Sequence, residues 1–153
     1  MDWFVRSFLK GSLVWFSLAV LLAVAMALVP TLAMYRTAHM HIALLGFVTQ
    51  MIYAVALHVI PRFFGQPLVY RRMAEVQFWT AQVGLTALVA GFAFRITGVT
   101  GASALVASGG MLSAIGAACF VINMWRTIDA SPMSKVHAKA ARGLPTLPQP
   151  DAH

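Results

Sequence analysis

The stretch Tyr35–Pro67, YRTAHMHIALLGFVTQMIYAVALHVIPRFFGQP, decides how this chain is read. It sets two histidines almost side by side, His39 and His41, at the head of a long apolar run. A third, His58, stands near the far end. The whole chain has 5 histidines, so most of them fall in this one stretch. Imidazole is costly to place in hydrocarbon, and an ionisable side chain there points to a function.

The surroundings are hydrocarbon by composition. Of 153 residues, 60% are hydrophobic and 10% charged, where soluble domains carry about a quarter charged residues. Mean hydropathy is +0.79. This is the profile of a membrane protein, and the length suits one domain. Apolar segments lie near 12–34, 37–60, 74–95 and 101–125. Each is long enough to cross ~30 Å of hydrocarbon, and backbone groups in lipid must be satisfied within the segment, so each is expected to be a helix. The expected fold is an all-α membrane protein with four transmembrane helices in residues 1–128. Residues 129–153, polar and proline-containing, are expected to form a flexible cytoplasmic tail that leaves His137 and His153 solvated. Arg6 and Lys10 precede the first segment as in a signal peptide, but the segment is longer than a secretory core, and it is expected to stay as a helix.

Net charge is +7, but the basic residues stand at the ends of apolar runs, which marks topology and not a nucleic-acid patch. Arg6, Lys10, Arg62, Arg71, Arg72, Arg126, Lys135, Lys139 and Arg142 share one side, and only Arg36 and Arg95 lie on the other. The positive-inside rule then puts both termini in the cytoplasm and His39 and His41 near the outer surface. Cys119, the single cysteine, lies in an apolar segment and reads as a small core residue. The fourth segment is rich in glycine, alanine and serine, a signal of close helix packing within or between protomers.

On a helix turning ~100° per residue, His39 and His41 point to nearly opposite faces and cannot ligate one metal together. His58, 17 residues beyond His41, lies roughly 25 Å further along the axis. Neutral imidazole is the commonest axial ligand for haem iron and also suits copper and zinc. A compact zinc site wants ligands on one face, and HMH does not supply that. A porphyrin between two helices needs only one histidine from each side. No other apolar segment carries a histidine, so a second axial ligand would be a methionine (Met26, Met34, Met40 or Met111), absent, or a histidine of another copy. A hydrogen-bonded polar cluster without cofactor explains the same spacing.

The stretch resembles the tenth transmembrane helix of subunit I of the heme-copper oxidases, whose pattern is A-H-x-H, a glycine, then H-x-x-P-x-F-x-G. Here it reads Ala38-His39-Met40-His41, Gly46, then His58-Val59-Ile60-Pro61-Arg62-Phe63-Phe64-Gly65. Phe78, Trp79 and Gly84 resemble positions of the family's eleventh helix, and Phe120 and Asn123 the end of its twelfth. The H-x-H is also similar to that of short NO-response membrane proteins that bind haem and copper. The resemblance implies that His39 and His41 ligate two different haems. The loop histidines of the oxidase copper site are absent, as are the paired arginines that hold haem propionates, so copper is not expected. Arg36 and Arg95 are the basic residues left to take carboxylates, or they snorkel at helix ends.

The family's subunit has twelve helices arranged like three arcs of four. A homotrimer of this chain would follow that plan, with haem b between His39 of one copy and His41 of the next, one haem per chain. A dimer sharing one haem is the weaker rival, since it leaves one histidine per chain unused. His58 matches a family position that is not a ligand. Three functions follow: an electron-transfer cytochrome b whose partner is a redox protein or a quinone, a haem protein binding O2 or NO, or a non-catalytic assembly subunit of a respiratory complex. The resemblance implies a bacterial or archaeal plasma membrane.

Overall fold

The computed structural model describes residues 2–130, and the expectations for the tail, His137 and His153 lie outside them. The described residues are mostly helical, without a strand, and contain four helices long and apolar enough to cross a membrane: Trp3–Leu28, Pro30–Phe63, Arg71–Ile96 and Ala102–Asp129. Successive spans run in opposite directions. The second is composite, with a 3-10 turn at Pro30–Tyr35, α2 at Arg36–His41, a π-helical segment at Ile42–Thr49 and α3 at Gln50–Phe63. The other spans are α1 (Trp3–Leu28), α4 (Arg71–Ile96) and α5 (Ala102–Asp129).

The helix boundaries depart from expectation for identifiable reasons. α1 begins at Trp3, so Arg6 and Lys10 lie inside it. Phe4, Val5 and Phe8 are buried on one face while Arg6 and Lys10 stay exposed on the other. The helix ends before residue 34 because Val29 precedes Pro30. A residue before proline is pushed out of the α region, and Val29 sits at φ −126, ψ 93. Pro30 then opens the next turn, where its missing N–H costs nothing. The second span passes Pro61 and ends at Phe63.

Two packing devices hold the spans. At the end carrying Asp2, Arg62, Arg71 and Arg126, here the basic end, large side chains form the core. Phe8 meets Phe78 edge-on at 5.1 Å and Tyr53 at 5.5 Å, and Tyr53 lies 4.6 Å from Phe120. Such pairs are worth about 0.5–1.5 kcal/mol each beyond their buried area. Between α4 and α5, the small residues bring backbone against backbone. A Cβ at Gly84 would lie 2.7 Å from the Ser113 nitrogen, and one at Gly91 2.8 Å from the Val106 nitrogen. The small-residue signal is thus met within the protomer at Gly109, Gly116 and Ala102, which are buried, while Ser103, Ala104, Ala107 and Ser108 face outward. The α4–α5 turn uses Gly98 (φ 72) and Gly101 (φ 87), a left-handed conformation in which a side chain would be strained.

Polar groups lock the remaining joints. Gln50 and Gln82 exchange amide hydrogen bonds, Gln50 Nε2 donating to Gln82 Oε1 at 3.2 Å and Gln82 Nε2 to Gln50 Oε1 at 3.0 Å. Trp15 Nε1 donates to the same Gln82 oxygen at 3.2 Å. At the basic end, Asn123 accepts from Tyr70 N at 3.1 Å and donates to Tyr70 O at 2.9 Å, while Thr127 Oγ1 accepts from Val69 N. These contacts carry α5 past its expected end near 125 to Asp129.

Two neighbouring glycines of α5 separate packing from composition. A Cβ at Gly109 would collide with the Leu88 nitrogen and lie 2.7 Å from Gly84 O, whereas one at Gly110 meets only Leu88 Cδ1 at 3.9 Å. Gly109→Ala should destabilise the hairpin by about 1–3 kcal/mol, the usual cost of overpacking, and Gly110→Ala should be near neutral in unfolding measurements on detergent-solubilised protein. Equal effects would show that backbone contact does not hold the hairpin.

Candidate functional site

α2 is one and a half turns of ordinary α-helix, and it carries both histidines of the H-x-H. Their faces differ as the helical period requires. His41 turns toward α4, where its ring lies 4.9 Å from that of Phe92 at an interplanar angle of 40°. Its Nδ1 is 2.8 Å from the carbonyl oxygen of Thr37, one turn back. A carbonyl can only accept, so Nδ1 carries the proton and Nε2 keeps its lone pair. Metal-ligating histidines are commonly anchored in this way, with the second ring nitrogen donating to a backbone carbonyl.

His39 is half-buried on the other face, and its Nδ1 is enclosed with no hydrogen-bond partner. Nε2 is therefore the ring nitrogen left to reach out of the fold. His39 lacks the anchor that His41 has. The same enclosure without partners holds for both amide atoms of Gln77, fully buried in α4.

Beside His41 lies an open groove of about 260 Å³, lined by Met34, Thr37, Ala38, Phe92, Arg95 and Ile96. Both groups that fix the His41 ring, Thr37 and Phe92, are in its wall, and so is Arg95. Arg36 is exposed and does not line it. Of the two arginines read together from the sequence, Arg95 lines this groove and Arg36 does not. Of the candidate methionines, Met34 lines the groove, Met40 and Met111 are exposed, and Met26 is half-buried on α1. At this size the groove falls short of the ~300–1,000 Å³ of a complete small-molecule site, so a flat ring against His41 would need a second wall. Among the described residues no three His, Cys, Asp or Glu side chains come together to hold a metal ion. The donors on offer are single imidazoles, a set that would suit haem iron and not a compact metal site.

Directly after His41 the helix widens. Ile42–Thr49 is π-helical, and the N–H of Ile42 is shared between the carbonyls of Ala38 and His39. π-segments occur mostly as single turns, frequently at functional sites. Here the widened turn admits Gly46 against α1: a Cβ on it would lie 2.7 Å from Trp15 Cβ and 3.1 Å from Leu85 Cδ2. A π turn advances less along the axis per residue than an α turn, so His58 stands nearer to His41 than a straight α-helix would put it.

His58 belongs to the basic end. Its Nδ1 accepts from Arg62 Nη1 at 2.9 Å, and that Arg62 Nη1 also donates to the His58 carbonyl at 2.7 Å. Arginine always donates, so the His58 proton is on Nε2. Cys119 is half-buried in α5. No protein-family model matches the chain, and no curated protein matches it in sequence. The likeness to the heme-copper oxidases therefore rests on the residues quoted above.

The two histidines should hold opposite tautomers. Nitrogen-15 NMR of histidine-labelled protein is expected to show a protonated Nδ1 at His41 and a protonated Nε2 at His58. A protonated Nε2 on neutral His41 would remove the anchored lone pair.

Proposed function

We propose that this chain is a haem b-binding integral membrane protein that passes electrons, assembled as a homotrimer in which each haem is shared between two copies. One observation carries the reading. His41 is anchored through Nδ1 on Thr37, and Thr37 and Phe92, the two groups that hold its ring, wall a groove that also includes Arg95. Bound haem would supply a one-electron iron couple.

The residues of the chain do the remaining work. The Thr37 carbonyl orients the His41 imidazole and fixes its tautomer. The Phe92 ring packs on that imidazole and keeps water from one side. Arg95 offers a planar set of donors suited to a carboxylate such as a porphyrin propionate. His39 offers a second imidazole on the opposite face, toward a neighbouring copy. Two ligands on opposite faces of one helix suit a closed ring, in which every copy uses one face on each neighbour. The outward Ser103, Ala104, Ala107 and Ser108 stripe of α5 supports close approach by another copy at this end. Both termini belong on the cytoplasmic side, because the basic residues gather at that end, and the membrane is taken to be the plasma membrane of a bacterial or archaeal cell from the oxidase resemblance. The electron partner is a redox protein or a quinone.

The test is spectroscopy of the purified protein with haem quantification. The expected result is about one haem b per chain, with reduced bands that CO leaves unmoved, since iron with two axial ligands has no open position. His39→Ala and His41→Ala should each open every haem to CO or lose it. A colourless protein from haem-replete cells would sink the proposal. A second reading has its own observation, because Met34 lines the His41 groove. If Met34→Leu opens the iron and His39→Ala does not, ligation is by His41 and Met34 within one chain.

A further inference from the structure

A cavity of about 440 Å³ lies far from the histidine pair, at the basic end. Its lining includes Asp2, Pro61, Arg62, Gly65 and Arg71. We propose that it holds the phosphodiester of an anionic phospholipid.

Both guanidinium groups are held in place from one side. Arg62 spends Nη1 on His58, on the ring nitrogen and the carbonyl together. Its other N–H donors are uncommitted, and among the described residues it has no carboxylate partner. Arg71 gives Nη2 to Asp2 Oδ1 at 2.9 Å and lies over the Phe4 ring at 5.9 Å. Asp2 is a carboxylate inside the site and opposes an incoming anion. It is 39% exposed and Arg71 is 61% exposed, so this ion pair is weak and exchangeable. Two guanidinium forks with spare donors suit the paired oxygens of a phosphate. The α4 helix also begins here with no side-chain cap.

The position selects a lipid over a free anion. The cavity stands at the end of helices that are apolar enough to cross a membrane, the depth of a headgroup. Large apolar side chains nearby are exposed, Phe63 at 73% and Tyr70 at 42%, and give acyl chains a surface. Basic pockets at the cytoplasmic membrane face are known to take anionic headgroups.

Native mass spectrometry of the detergent-purified protein tests this, with phosphatidylglycerol and phosphatidylcholine added in turn. Phosphatidylglycerol should be retained in preference, and the double variant Arg62→Gln, Arg71→Gln should weaken its retention roughly 30-fold, from the contribution of two basic residues near a membrane surface. Asp2→Asn should strengthen it. The exposed pair Arg6→Gln, Lys10→Gln lies on α1 outside the cavity and should leave retention unchanged. Equal retention of both lipids, or an equal loss in the Arg6, Lys10 variant, would overturn the site. Displacement of phosphatidylglycerol by millimolar inorganic phosphate would overturn the choice of a lipid. Thermal unfolding of each variant separates lost binding from lost folding: a double variant that is folded and still retains phosphatidylglycerol refutes the proposal.

Discussion

Three spans of this protein meet at a single amide pair. Gln50 and Gln82 satisfy each other's oxygen and nitrogen, and Trp15 donates into the same oxygen. In hydrocarbon an unpaired amide costs several kcal/mol. Neither glutamine can leave its partner cheaply, so α1, α3 and α4 have one mutual register at this level. The joint also needs space: a Cβ on Gly11 would lie 2.7 Å from Gln82 Nε2. What the pair specifies is position more than stability, since interhelical bonds in membranes average only about 0.6 kcal/mol where measured.

From that joint the packing runs in two directions and differs in kind. Toward the basic end, Phe4, Phe8, Tyr53 and Leu57 fill the interior and Asn123 clamps the turn before α4. Toward the histidine end, the buried residues are Ala38, Ile42, Leu88, Gly91 and Ala102, with no aromatic ring among them, and α1 buries only Ala19 beyond Ser12. A well-filled end supplies the folding energy. The other end keeps an imidazole and an arginine beside an open groove, a division expected where binding surfaces sit on a rigid scaffold.

The four helices and the opposite faces of His39 and His41 were legible in the sequence, because both follow from period and length. The helix starts were not, since charge at Arg6 and Lys10 concealed that Phe4, Val5 and Phe8 share a buried face. Hydropathy also passed over Gln50 and Gln82, which are isolated polar residues in apolar runs. Their separation in the chain gives no hint of pairing. The Thr37 carbonyl could have been anticipated, as it lies four residues before His41. That Arg95 and not Arg36 lines the groove could not, since it depends on how α2 is set against α4. The π segment has no compositional mark at all.

That segment, Ile42–Thr49, acts as an angular spacer between the two halves of its span. The histidines and the glutamine joint must each face particular neighbours, and a plain α-helix would tie their bearings together at about 100° per residue. The wider turn absorbs the mismatch without breaking the helix. Removing one residue there would turn the histidine pair relative to Gln50 by about that same step, while composition and hydropathy stayed nearly unchanged. Chain length between Gly46 and its flanks is thus as constrained as the identity of the two histidines.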